Sequence, residues 1–141
     1  MKKLTYASLV FLVVGIAFTS CKKDIDETPE TTIVGLWNGK YSKNPTPTDF
    51  AHNYAALFRS NGTMRLFDMG PATDTTFAIN KIEGSYTLTG NALSATYLTT
   101  STPVDTIMVA STVNAINAYM EGSFGKKPST TNGGQFFLHK P

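Results

Sequence analysis

From residue 33 onward the chain alternates apolar and polar residues with a period of two, in short runs rich in Thr, Tyr, Phe and Val. Successive side chains of a strand point to opposite faces, so this pattern builds half-buried strands, and a helical period is almost absent. In the first run, 33–42, Ile33, Gly35, Trp37, Gly39 and Tyr41 share one face and Leu36, Asn38 and Lys40 the other. Asn44-Pro45-Thr46-Pro47 ends it, because proline cannot donate to a central ladder. Runs at 52–59 and 63–69 flank Ser60-Asn61-Gly62, a hairpin signal in which both Asn and Gly tolerate positive φ. Gly70-Pro71-Ala72-Thr73 is the next break. Further runs follow at 75–80, 84–89 and 92–99, the last two joined by Gly90-Asn91. After a loop at 100–103, runs 105–113 and 116–124 pair through Asn114. A polar, glycine-containing loop at 126–134 leads to the last run, 135–140.

This pattern predicts about eight or nine antiparallel strands with short connections. The expected fold class is all-β: a single antiparallel meander β-barrel of about eight strands, with a β-sandwich as the alternative. Pairing of the last strand with the first would close the barrel and remove its edges. The candidate inward set is Trp37, Tyr41, Phe58, Leu66, Tyr86, Leu88, Leu93, Tyr97, Met108, Met120, Phe124, Phe136 and Leu138. In a barrel of eight strands such a set either fills the interior or lines a pocket for one small ligand.

The N-terminus has a different character. Lys2 and Lys3 precede an apolar stretch from Leu4 to Phe18, shorter than the roughly 20 residues a membrane span needs. Thr19 and Ser20 then precede Cys21, the single cysteine of the 141 residues. A lone cysteine excludes an intrachain disulfide, and an exported chain seldom keeps an idle thiol. Phe18-Thr19-Ser20-Cys21 resembles the lipobox of a bacterial lipoprotein. The resemblance implies a signal peptide at 1–20 that is cleaved, and acylation (palmitate among the chains) of Cys21. It also implies a partner, the outer membrane, held through that lipid anchor, with the leaflet left open. Two or three acyl chains, at roughly 0.8 kcal/mol per buried methylene, suffice for stable anchoring. Residues 22–32 are polar and contain Pro29, and read as a flexible tether with a span of roughly 18 Å. Residues 33–141 are the expected barrel domain.

Gly35-Leu36-Trp37 resembles the Gly-x-Trp of lipocalins and related calycin barrels, and Gly84-Ser85-Tyr86 and Gly122-Ser123-Phe124 repeat a Gly-x-aromatic start. Together with the leader, the chain is similar to small lipocalin-like lipoproteins of bacteria with two membranes. The resemblance implies binding of a small apolar or amphipathic molecule at the barrel mouth. Trp37, Tyr41, Tyr86 and Tyr97 are the candidate ligand contacts, since Tyr and Trp combine apolar area with a hydrogen-bonding tip. Lys140 is the nearest counterpart of the arginine that family places over its tryptophan. Asp74-Thr75-Thr76 and Asp105-Thr106-Ile107 resemble the O-glycosylation acceptor of some such bacteria, which makes Thr75 and Thr106 candidate modification sites.

Other functions find less material. The chain carries 12 basic and 10 acidic residues, and without Lys2 and Lys3 the two balance. That argues against a nucleic-acid partner held by phosphate neutralisation. His52 and His139 lie in different runs with no nucleophile or carboxylate at a telling spacing, so no catalytic residue and no enzyme activity are expected. Asp68, Asp74 and Asp105 near turns supply no ordered calcium loop, and no metal or other cofactor is expected. Glu83 and Glu121 form a glycosidase pair only if folding brings them across one cleft. The rival to small-ligand binding is an interaction module with a filled barrel, meeting an unknown protein partner through loops 43–51, 70–75 and 126–134.

Overall fold

The computed structural model describes residues 32–114 and 116–141. The leader, Cys21 and the tether up to residue 31 lie outside the described residues. Eight strands run in sequence: β1 (Gly35–Ser42), β2 (His52–Phe58), β3 (Thr63–Gly70), β4 (Asn80–Thr89), β5 (Ala92–Leu98), β6 (Thr106–Asn114), β7 (Tyr119–Lys126) and β8 (Gly134–His139). Each pairs antiparallel with the next, and β8 pairs with β1, so the sheet is a closed meander barrel. Closure removes the sandwich alternative, and no α-helix occurs among the described residues.

The two ends of the barrel differ. Residues 59–62, 90–91 and 116–118 make tight turns at one end. Loops 43–51, 71–79, 99–105 and 127–133 all lie at the other. At the short-turn end Arg59 and Thr63 close a three-residue loop, with positive φ confined to Gly62 (+79°) and Asn61 instead accepting from the Thr63 backbone N–H at 3.1 Å. This is a glycine-bulge hairpin rather than the expected turn with Asn and Gly both left-handed. Gly90 (φ +58°) starts the two-residue β4–β5 turn.

Three expectations need correction. The run expected at 75–80 is a strand only at its last residue: Asp74 accepts from the Thr76 N–H at 2.7 Å and caps a 3₁₀ turn, Thr75–Phe77, and β4 begins at Asn80. A short carboxylate here offers the backbone a closer partner than a ladder does. The β6–β7 connection is longer than a turn at Asn114. The Asn114 side chain accepts from Asn117 N–H at 3.2 Å, Ala118 adopts φ +47°, and Ile116 stands exposed instead of starting a strand. Met108 faces outward, because β6 sends Val109 and Val113 into the core. Every other member of the candidate inward set lies in that core or packs against it.

The seam between β1 and β8 depends on a missing side chain. A Cβ at Gly39 would sit 1.9 Å from the Phe137 carbonyl oxygen. Gly39→Ala is therefore expected to destabilise the barrel by at least about 1–3 kcal/mol. Gly90→Ala meets open space and carries only the strain of a left-handed backbone, about 1 kcal/mol. Urea unfolding of the two variants checks the order; equal losses would remove the seam argument.

Candidate functional site

The interior is packed in one half and hollow in the other. Toward the short-turn end Trp37, Met64, Leu93, Val113, Met120 and Leu138 are almost fully buried. Trp37 donates its indole N–H to the Ile33 carbonyl at 2.7 Å, which folds the incoming chain under the barrel. Lys140 closes the same end by donating to the carbonyls of Thr32 (3.3 Å) and Val34 (2.9 Å).

Toward the long-loop end the side chains retreat and leave a cavity of about 450 Å³. That volume lies within the range of small-molecule sites. Leu66, Ile82, Ile107, Val109, Phe124 and Phe136 give it an apolar wall. Tyr41, Tyr54 and Tyr97 add phenols, Asp68 adds a carboxylate, and Lys43, Thr99, Thr100 and Ser101 belong to the rim. Tyr41 meets Tyr54 edge-on at 5.6 Å and Phe124 at 6.0 Å, and Tyr54 meets Phe136 at 6.1 Å. His52 stacks on Tyr41 at 4.9 Å. A second hollow, about 580 Å³, is a groove on the outer surface between Phe50, Tyr119 and Phe137, and no wall of the barrel encloses it.

The four aromatic candidates are thus divided. Tyr41 and Tyr97 line the cavity. Trp37 belongs to the packed half, and Tyr86 lies at the short-turn end, where its hydroxyl donates to the Arg59 carbonyl at 2.7 Å and its ring meets Phe58 edge-on at 5.0 Å. Tyr54 and Asp68 are cavity residues that the sequence reading passed over. Strand parity could have found them: Tyr54 shares a face with Ala56 and Phe58, and Asp68 with Met64 and Leu66.

The remaining candidates are scattered. His139 is exposed on β8, far along the strand from the end that holds His52. Glu83 is ion-paired with Arg59 (2.9 Å) and Arg65 on the outer face, and those partners hold its carboxyl below the usual range. Glu121 accepts from the Tyr119 hydroxyl at 3.2 Å on another strand. Thr75 and Thr106 are half-buried. Among the described residues no group of three His, Cys, Asp or Glu is placed to hold a metal ion.

Burial dominates the electrostatics of the cavity. It pushes the Tyr97 phenol up to about 12, with the Asp68 charge adding to the shift. Burial also raises Tyr54 and Tyr41 well above the ordinary phenol value, with Asp68 the second cause at Tyr41. The fold and cavity define a closed eight-stranded antiparallel meander barrel with one hollow end, an arrangement compatible with a calycin fold. No family model matches the chain, and no curated protein matches it.

A raised phenol pKa favours the neutral, folded form. Its contribution is full below the unfolded value of 10 and is lost as pH rises from there through about 12. Stability is expected to fall across that window by up to about 1.4 kcal/mol per pH unit for each such tyrosine. Denaturant unfolding at stepped alkaline pH measures this. Tyr97→Phe should flatten the slope, and an unchanged slope would show that Tyr97 ionises as freely in the folded chain as in the unfolded one.

Proposed function

We propose that this chain is a lipid-anchored envelope protein whose barrel holds one small apolar or amphipathic molecule, without catalysis. The observation that carries the binding half is the cavity, with three tyrosines set over an apolar wall at the end where all the long loops gather. Aromatic and aliphatic walls with a few convergent polar groups are what small-molecule sites are made of. The anchoring half rests on the sequence around Cys21. Residue 32, where the tether joins, lies at the end opposite the cavity, as the Lys140 contact to the Thr32 carbonyl places it.

The rival, a loop-borne protein interface, draws on one observation. Phe77, Ile79, Leu98 and Val104 are all exposed, on or beside the 71–79 and 99–105 loops that flank the mouth. Single exposed apolar residues are ordinary, and these carry the rival only as a contiguous patch of several hundred Å².

Titration calorimetry of the full chain with decanol, a neutral amphiphile, tests the binding reading. Tyr97→Ala is expected to weaken the complex about tenfold, the equivalent of roughly 1.4 kcal/mol. Tyr86→Phe, outside the cavity, should leave it unchanged. Binding that ignores Tyr97→Ala and Tyr41→Ala alike would move the site elsewhere. Anchoring is tested separately in cells: Cys21→Ser should release the protein from the membrane fraction and abolish labelling by a palmitate analogue. Membrane retention of that variant would sink the anchor.

A further inference from the structure

We propose that the preferred occupant of the cavity is an amphiphile with a cationic amine head, received by Asp68 among the mouth tyrosines; this deepens the ligand-binding reading above and depends on it. The warrant begins with strand parity. β3 sends Met64 and Leu66 into the core, and Asp68 is the next residue on that inward face. It stands directly across from Tyr54 on β2 and Asn80 on β4, and it lines the cavity. An acidic side chain at an inward barrel position is expensive unless something answers its charge.

Nothing cationic in the described residues does so. The ion pairs there engage Glu83 and Asp105, and none engages Asp68. Its Oδ1 accepts the Gly70 backbone N–H at 3.3 Å. The titratable groups around it are the neutral phenols of Tyr41, Tyr54 and Tyr97, with the Tyr41 phenol hydrogen-bonded to the carboxylate, and His52 stacks on Tyr41 at the mouth. Lys43 is the one basic residue of the lining, and it is exposed at the rim without pairing to Asp68. Both the carboxylate and the faces of the surrounding rings favour a positive charge. Leu66, two residues deeper on β3, and Ile82 and Val109 beyond it offer an apolar surface to the tail.

The same geometry rejects the alternatives. A neutral apolar molecule would strip water from Asp68 and return nothing. A carboxylate-headed lipid would bring a second negative charge beside it, leaving only exposed Lys43 in its favour. The chain as a whole carries +2, so a preference for a cation must come from the site and not from the overall field.

The test is calorimetry of the full chain with three probes of one chain length: decylammonium, decanol and decanoate. Decylammonium should bind tightest and decanoate weakest, with roughly ten- to hundredfold between them. Asp68→Asn should bring the three within about threefold of one another, leaving decanol nearly unchanged, and Asp68→Glu should restore the order. Decanol or decanoate binding the unaltered chain as tightly as decylammonium would overturn the inference and leave ligand binding intact. So would an undiminished amine preference in Asp68→Asn. Failure of all three probes would overturn the ligand-binding reading together with this one. The order in the unaltered chain decides the matter even if the asparagine variant does not fold.

Discussion

The β1–β8 ladder turns a meander with two exposed edges into a continuous wall, and it forms only because the Phe137 carbonyl can approach the backbone at Gly39. Once the wall closes, the interior has a fixed girth, and each inward side chain competes for the same volume. Facing Gly39 across the seam is Leu138, one of the most deeply buried residues. The close approach and the filled interior are therefore one feature: the position on β1 that lacks a side chain lets the large one opposite it on β8 point inward.

Below that level the core is close-packed around Trp37, Met120 and Leu138, and above it the cavity begins. The division follows from where the chain spends its large aliphatic residues. Trp37 and Tyr41 share one face of one strand, four residues apart, a rise of roughly 13 Å. That is enough to place one indole in a solid core and one phenol in the lining of a hollow.

Strand parity was readable from the sequence, and so the all-β class, the closure and nearly the whole inward set followed from it. Parity failed where both neighbours were apolar, as at Met108 and Val109, since either face satisfies the burial of a methyl-rich side chain. It failed also where a polar side chain captured the backbone, as at Asp74 and Asn114. Parity gives the face of a residue but not its height along the barrel. In a meander, height follows from strand direction: the ends of odd strands and the beginnings of even strands share the long-loop end. Tyr97, late in β5, therefore belongs to the cavity, and Tyr86, well along β4, belongs to the opposite end. Asp68, late in β3, obeys the same rule and could have been placed with the tyrosines, had its inward parity been weighed above its nearness to a turn.

The packed half serves as an internal control for the hollow one. It shows that this chain fills a barrel interior with Trp, Met, Leu and Val where only stability is at stake. In the upper half, on the same strands and with the same alternation, it sets tyrosines, a carboxylate and open volume instead. Each choice costs stability: buried phenols lose hydration, a carboxylate without a cationic partner loses hydration too, and a void forfeits dispersion contacts. A sequence selected for folding alone has no reason to concentrate all three at the end where the loops are long. The concentration has a physical rationale if the missing contacts are supplied from outside, by a molecule whose apolar body fills the void and whose polar end meets the phenols and Asp68.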